Sequence, residues 1–323
     1  MNEWVVPLPE RLDVFLASEG RMLSRARAQK AIEEGRALVN DSPVTKASHR
    51  LQEGDKVTLK GEERKAGPAF DAVDLHLPVL YEDGSCLVLN KPAGLAVHPG
   101  AGMAPGETTV LHGIAFLFRE RSLPRKGAWP PRGFTPFSAE AVLVHRLDKD
   151  TTGCLLVAKD PASHATLQKQ FETRTVRKQY LALVAGVPEN AQAVIDAPIG
   201  RSTSNRTTMA VTGSSGSREA QTTYHVLESK GHASLLLCDL HTGRTHQVRV
   251  HLSSIGHPVL GDGTYRNELS ERLRDEFGIA SLCLHAWKLS FNSPADGQEH
   301  QAEALLPSLF EEVLGRVGVG WRP

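Results

Sequence analysis

A polar stretch between residues 60 and 78 divides the chain into two unequal parts, and this division limits the folds that the sequence can adopt. The stretch reads KGEERKAGPAFDAVDLHLP and has no apolar period, which is typical of a linker. The chain has 323 residues, a length that favours about two domains. The sequence therefore predicts a small unit at 1–62, a linker at 63–78 and a larger unit at 79–323.

The small unit reads as a pair of helices followed by short strands. Residues 11–17 and 25–34 place apolar side chains at helical spacing, and strand-like pieces follow at 37–39 and 56–59. Segment 21–30 carries four basic residues and no acidic one. Taken alone, a basic run of this length is more typical of a solvated helix face than of a binding site.

Charge and cysteine content exclude several classes of protein. The chain has 37 Lys+Arg against 37 Asp+Glu, which excludes a general polycation but leaves room for a basic face. The cysteines form no CxxC pair, so neither a zinc site nor a disulfide framework is indicated and we expect the reducing cytoplasm. No basic leader precedes an apolar core, and no apolar run approaches the ~20 residues that span a bilayer. We therefore expect neither export nor membrane insertion.

The segment AVLVHRLDKDTTGCLLVAKD at 141–160 sets a polar loop between two apolar runs. We predict buried strands at 141–144 and 154–158, with Asp148 and Asp150 in the loop between them. Reactive groups concentrate in loops that rigid elements hold. A plain turn with its charges in water accounts for such a loop equally well.

Two other interpretations of this loop are weak. Residues 148–153 partly match a calcium-binding loop, but Lys159 stands where a bidentate glutamate is needed. Asp148 and Asp150 could be the acid and base of a glycosidase, yet two residues apart they need not converge on a substrate. We therefore predict no metal in this loop.

A second polar segment, HTGRTHQVRVHL at 241–252, carries two arginines and three histidines without an acid. As a strand over 245–251 it would turn Val248 and Val250 to the core and its polar side chains to the opposite face. The histidines are a weak metal signal, because no carboxylate or thiol lies among them before Asp262. The pattern favours an anion-facing strand.

A third segment, QKQFETRTVRKQY at 168–180, leads into the apolar run YLALVAG. Basic residues outnumber acidic ones in it. Tyr180, at the start of the apolar run, is by itself more typical of a core aromatic than of a functional residue.

Taken together, HRLDKDTTG, RKQYLALVAG and TGRTHQVRVHLSSIGHPVLGD, in this order, resemble the RluA family of pseudouridine synthases. The pattern from RLDVFLA through VNDSPV to EGDKVTL resembles the S4 RNA-binding domain. With KPAGLAVHPGAG, the S4 module resembles the type within that family that acts on large-subunit ribosomal RNA. Thr152 stands where many members have serine, and 121–136 reads as a longer surface insert.

The resemblance implies an α+β fold in which the catalytic domain is built on a mixed, largely antiparallel sheet, with a small N-terminal S4 RNA-binding domain. It implies an isomerase that converts uridines of large-subunit (23S) rRNA to pseudouridine. Because the reaction leaves the composition of the RNA unchanged, we expect no cofactor and no metal. The implied partner is RNA, and we expect a monomer that does not bind membranes.

The same resemblance assigns catalytic roles. It makes Asp148 the nucleophile and Arg249 its ion-pair partner, which would favour the ionised carboxylate. It places Tyr180 against the target base, where it could assist removal of the C5 proton. Whether Asp148 attacks C1′, adds to C6 or abstracts a sugar proton stays open.

The resemblance also implies RNA contacts. Arg146, next to the nucleophile, would fill the gap left by the extruded base. The other contacts are Arg244, His246 and Gln247 in the cleft, and Arg11, Ser24, Arg25, Arg27, Gln29, Lys30 and Arg36 in the S4 module.

Two other functions stay open on the sequence. One is a non-catalytic RNA-binding factor for ribosome assembly, which would not need Asp148, Tyr180 and Arg249 together. The other is the same chemistry on tRNA, because sites of this kind are chosen by RNA shape.

Overall fold

The structure is a computed structural model that describes residues 2–17, 25–60, 72–99, 103–104, 106–121, 142–202 and 208–322. The chain forms two compact units, Met1–Ala69 and Phe70–Pro323. Of the predicted linker, 63–71 lies outside the described residues, whereas Leu77 is buried in the core of the larger unit. The predicted insert lies outside the described residues from 122 onward.

Helices α1 and α2 pack on an antiparallel sheet in the small unit. The elements are β1 (Asn2–Val5), α1 (Leu12–Ala17), α2 (Arg25–Glu33), β2 (Ala37–Val39), β3 (Ser42–Val44) and β4 (Lys56–Leu59). The strand order is β1-β4-β2-β3. The apolar stripe of α2 consists of Ala28, Ala31 and Ile32, all fully buried, and Gly35 ends the helix region with a positive φ of 71°.

The larger unit supplies the second core. Its elements in chain order are β5 (Val79–Glu82), β6 (Cys86–Lys91), α3 (Val110–Arg121), β7 (Thr152–Ala158), α4 (Pro161–Glu172), β8 (Arg177–Ala185), β9 (Gln192–Asp196), β10 (Ile199–Arg201), β11 (Met209–Val211), β12 (Gln221–Lys230), β13 (Ala233–Leu240), α5 (Gln247–Ser254), α6 (Glu268–Glu276), β14 (Leu284–Asn292), β15 (Glu299–Glu303) and α7 (Ser308–Val317).

Across the described ranges, one sheet of nine strands organises this unit. Its order is β5-β6-β7-β14-β8-β13-β12-β9, with β15 paired to β14. In that sheet β7 and β14 run parallel, and the other paired strands run antiparallel. Strands β10 and β11 form a separate antiparallel ribbon. The predicted α+β class with a mixed, largely antiparallel sheet is confirmed.

The predicted strand at 141–144 is wrong. Ala141 lies outside the described residues, and Leu143 forms an isolated bridge to Val157. Strand β7 pairs along one edge with β6, and the start of its other edge pairs with β14. The apolar run lies against the remaining part of that edge. The bridge does not extend into a ladder, because the backbone N–H of Leu156 donates to the side chain of His145 and not to a backbone carbonyl of this run.

The predicted strand at 245–251 is also wrong, because this stretch enters helix α5 at Gln247. The alternating pattern is compatible with a helix here since the helix is buried on several sides. Val248 packs into the main core, and Val250 packs into a small cluster that includes residues of β10 and β11. The polar side chains of Gln247, Arg249 and His251 are buried as well, each in hydrogen bonds.

A close approach of two strands at Gly153 fixes the end of the polar loop. Gly153 has a φ of 107°, and a Cβ atom there would lie 2.9 Å from the backbone nitrogen of Ala286 and nearer still to its carbonyl. We therefore expect Gly153→Ala to lower the free energy of unfolding by about 3 kcal/mol or more, through overpacking and backbone strain combined. Denaturant unfolding measures this, with the exposed Gly297→Ala as a control: its φ of 71° is also positive, but nothing lies within 4 Å. Equal losses in the two variants would contradict the role of the strand contact.

Candidate active site

The predicted site residues of the larger unit converge on one cleft. They come from the loop before β7, from β8, and from the turn and helix that follow β13. The cleft is small, with a volume of about 50 Å³. The predicted residues that line it are Arg146, Asp148, Tyr180, Arg244, His246, Gln247 and Arg249.

A buried lysine, Lys91, anchors the loop that carries Asp148. The Lys91 ammonium donates hydrogen bonds to the carbonyl oxygens of Pro92 (2.7 Å), Leu95 (2.9 Å) and Lys149 (2.7 Å). Burial lowers the pKa of Lys91 to about 8, opposed by the carboxylates of Asp150 and Asp148. The ammonium is therefore still protonated at neutral pH and joins the loop to the end of β6.

A partly buried histidine, His145, fixes the start of the same loop. The backbone N–H of Leu156 donates to Nε2 of His145 at 2.8 Å, and the imidazole stacks on Phe171 with ring centroids 4.8 Å apart. Burial, assisted by the positive charge of Lys178, lowers the pKa of His145 to about 3. His145 is thus a neutral structural residue, and the adjacent Arg146 and Asp148 are the ones that face the cleft.

Arg249 lies between two carboxylates. Its Nη1 donates to Oδ2 of Asp148 at 3.0 Å, while Nε and Nη2 donate to the two oxygens of Asp262 at 2.6 and 2.8 Å. Asp262 has no exposed side-chain surface, and it also accepts the backbone N–H groups of Thr264 and Tyr265. The pKa of Arg249 is raised: burial opposes this, but the bonds and charges of Asp262 and Asp148 outweigh it. The guanidinium is a fixed cation beside Asp148.

Tyr180 closes the buried side of the cleft. The residue is 9% exposed, and it lines the same cleft as Asp148 from its position on β8. Burial raises the pKa of Tyr180, and the negative charge of Asp148 adds to the effect. The phenol is therefore neutral, and its ring forms part of the wall of the cleft.

His246 occupies the other side of Asp148. Its backbone has a φ of 57°, a left-handed conformation immediately before helix α5, and its Nε2 lies 4.0 Å from Oδ1 of Asp148. Nδ1 lies 3.0 Å from the hydroxyl of Tyr265. The pKa of His246 is lowered, mainly by burial and also by Arg249 and Arg146, against the opposing charges of Asp148 and Asp262.

Of the remaining cleft residues, Gln247 does not fit the predicted RNA contact. Its Oε1 accepts hydrogen bonds from Thr242 and from the backbone of Arg244, and its Nε2 donates to Gln221 and Thr222. With both ends of the amide engaged and 2% of the residue exposed, Gln247 holds the turn before α5. It has no remaining group for RNA.

The two arginines at the cleft differ in their surroundings. Arg244 is partly buried and donates from Nε to the carbonyl of Glu219 at 2.9 Å; burial, then the nearby Arg218 and Arg174, lowers its pKa. Arg146 is exposed, and within the described ranges it forms no hydrogen bond or salt bridge. Arg146 is therefore the cleft cation most available to a ligand.

In the small unit, two predicted RNA contacts meet at one buried carboxylate. Arg11 binds both oxygens of Asp13 at 2.9 and 3.0 Å, and Gln29 donates to Asp13 at 3.0 Å. Lys30 is exposed, and Arg36 pairs with Glu34 at 2.9 Å. Ser24 and the side chains of Arg25 and Arg27 lie outside the described residues.

Three residues important to this geometry were not predicted as site residues: Lys91, Asp262 and Tyr265. Lys91 and Asp262 lie within quoted motifs, as the first residue of KPAG and the last of HPVLGD, so a signal was present for both. Tyr265 has no comparable signal. In the described part of the chain, no group of three or more His, Cys, Asp or Glu side chains could hold a metal ion.

Comparison with known proteins identifies the family. The family described as RNA pseudouridylate synthase matches residues 85–254, and the S4 domain matches residues 10–57. The chain belongs to the RluA family of RNA pseudouridine synthases. It is an isomerase that acts on RNA, so the non-catalytic alternative is set aside.

Relatives of this RluA-family enzyme match along most of their length. A Bacillus subtilis (strain 168) protein named as an uncharacterized RNA pseudouridine synthase is 37% identical over 305 residues, 94% of this chain and 93% of that one. A Nitrosomonas europaea protein named ribosomal large subunit pseudouridine synthase D is 38% identical over 307 residues, 94% and 83% of the two chains. The solved structure of human RNA pseudouridylate synthase domain containing 4 matches with a TM-score of 0.59 at 28% identity, covering 76% of this chain and 94% of that one. No helix in the described ranges is long and apolar enough to span a membrane.

Proposed function

We propose that this enzyme converts uridines of large-subunit (23S) rRNA to pseudouridine, with Asp148 as the nucleophile. The observation that carries the proposal is the partly exposed Asp148 carboxylate, 3.0 Å from the buried Arg249 guanidinium, in a cleft that Tyr180 borders. The Nitrosomonas europaea relative, named for the large ribosomal subunit, supports the choice of RNA. We further propose a monomer that acts in the cytoplasm, where its free buried cysteines would stay reduced.

The reaction breaks the bond between C1′ and N1, turns the uracil and joins C1′ to C5, while C5 loses a proton and N1 gains one. Asp148 would hold the sugar or the base as a covalent partner, or take a proton from the sugar, and Arg249 would supply the positive charge beside it. The neutral ring of Tyr180 would stack on the uracil and retain it during the turn. Arg146 would fill the gap that the extruded nucleotide leaves in the RNA.

Mapping of pseudouridine in 23S rRNA and tRNA tests this proposal. The RNA comes from cells that lack the gene and from the same cells supplied with the wild-type protein or with Asp148→Asn. We expect pseudouridines in 23S rRNA that appear only with the wild-type protein. If they appear in tRNA alone, the choice of substrate is wrong, and if they also appear with Asp148→Asn, the nucleophile is wrong.

We expect the S4 domain to contribute affinity for the RNA and not the chemistry. Removing residues 1–62 should raise KM for an rRNA fragment by about tenfold, because its phosphate contacts are lost, while kcat changes by less than about threefold. The salt dependence of binding should become shallower in the same variant. Arg272→Ala, which removes an exposed cation of α6, serves as the control for a general charge effect. An unchanged KM in the truncated protein would contradict this role.

A further inference from the structure

The hydroxyl of Tyr265 lies where it can decide which nitrogen of His246 carries the proton. Tyr265 follows Asp262 in the chain, and its ring lies 5.1 Å from the guanidinium carbon of Arg249. Its oxygen is 3.0 Å from Nδ1 of His246 and 3.0 Å from the backbone nitrogen of Met209. Tyr265 therefore contacts the site from the side opposite to Asp148 without lining the cleft.

The direction of these hydrogen bonds follows from the donors available. The backbone N–H of Met209, on β11, can only donate, so the Tyr265 oxygen accepts from it. Burial raises the pKa of Tyr265, so the phenol keeps its own proton. In the described part of the chain, Nδ1 of His246 is the only acceptor that this proton has. If Nδ1 were protonated, the hydroxyl proton would have no partner, so we infer that Nδ1 accepts it.

Neutral His246 therefore adopts a single tautomer. A neutral histidine with an unprotonated Nδ1 carries its proton on Nε2. Nε2 lies 4.0 Å from Oδ1 of Asp148, and no hydrogen bond to Nε2 is found within the described ranges. The Nε2–H group thus lies beside the carboxylate in the cleft that both residues line.

We propose that Tyr265 is a positioning residue that fixes His246 in the Nε2–H form, so that the imidazole donates a hydrogen bond beside Asp148. The acceptor is Asp148 itself or an oxygen of the bound nucleotide. Met209, the first residue of β11, holds the Tyr265 hydroxyl in this position, because its backbone N–H donates to the phenol oxygen. The part of the inference that concerns turnover rests on the proposed function, whereas the protonation of His246 does not.

The first test measures directly which nitrogen of the His246 imidazole is protonated, and it needs no RNA. Proteins labelled with ¹⁵N-histidine are studied by long-range ¹H–¹⁵N NMR near pH 8, above the ordinary histidine pKa of about 6.5, and the His246 signals are those absent from His246→Gln. We expect the Nε2–H pattern in the wild type and a mixture of both neutral forms in Tyr265→Phe, which keeps the ring against Arg249. Tyr81→Phe removes another hydrogen-bonded hydroxyl, 2.7 Å from Asp83, and should leave the His246 signals unchanged. An Nδ1–H pattern in the wild type, or no change in Tyr265→Phe, overturns the proposal.

The second test uses a double-mutant cycle on pseudouridine formation. A glutamine at 246 offers an amide donor whose protonation does not depend on Tyr265. We expect Tyr265→Phe to lower kcat by about fivefold to tenfold in the wild type but by less than about twofold in His246→Gln. Equal losses in the two backgrounds would show that the hydroxyl does not act through His246. If the wild type forms no pseudouridine, the proposed function fails while the NMR result still decides this inference.

Discussion

Replacing Asp148 by asparagine is expected to lower kcat for pseudouridine formation by at least about 10³-fold. The amide has nearly the same shape as the carboxylate but cannot act as a nucleophile or as a base. Arg249 keeps its two bonds to Asp262 in this variant, so the helix that carries it should stay in place. Turnover is measured by release of tritium from C5-labelled uridine in an rRNA transcript.

Asp150→Asn is the matched control for this variant. Asp150 lies in the same loop and is exposed to solvent, so its replacement removes the same charge from the same surface. We expect kcat within about threefold of the wild type, and RNA affinity within a few-fold in both variants. Retention of more than a tenth of the activity in Asp148→Asn would remove Asp148 from the role of nucleophile.

Replacing Arg249 by methionine should cost both stability and activity. The change leaves the carboxylate of Asp262 buried with backbone N–H groups but without a counter-charge. Loss of one partner of a buried ion pair lowers the free energy of unfolding by about 3–5 kcal/mol. We expect kcat per folded molecule to fall by on the order of 10²-fold. It is measured at a temperature where the variant is folded.

A second substitution separates these two effects. In Arg249→Met/Asp262→Asn the buried charge is removed as well, and the amide oxygen can still accept the N–H groups of Thr264 and Tyr265. We expect stability to recover by about half or more and activity to stay as low as in Arg249→Met. If activity returned with stability, Arg249 would be a structural residue and not the partner of the catalytic carboxylate.

The parts of the fold that follow from local pattern were predictable from the sequence. Helix α2 was predicted from the helical spacing of apolar residues in 25–34, and three of these, Ala28, Ala31 and Ile32, are fully buried. The hairpin of β5 and β6 is of the same kind, because two apolar runs flank a Glu-Asp-Gly-Ser turn, a pattern typical of a hairpin. In each case the side chains that decide the element are close neighbours in the chain.

The errors lie where distant residues decide the local structure. Alternation of apolar and polar residues in 245–251 predicts a strand if polar side chains must face water. Gln247, Arg249 and His251 are buried here, because Thr222 and Asp262, distant in sequence, supply hydrogen-bond partners. The roles of Asp262 and Tyr265 were missed for the same reason, since their positions beside Arg249 depend on the tertiary fold. Convergence of the cleft residues was expected only through resemblance to a family, and the structure shows the contacts that produce it.

The pairing of β7 with β14 determines when the catalytic cleft can form during synthesis of the chain. The Asp148–Arg249 bond spans 101 residues, and the bond between Thr152 and His285 at the parallel pair spans 133. The cleft therefore cannot be assembled on the ribosome until β14 has emerged, whereas the small N-terminal unit has its own core of local contacts and can fold early. A nascent chain should thus acquire its RNA-binding module well before it can modify RNA.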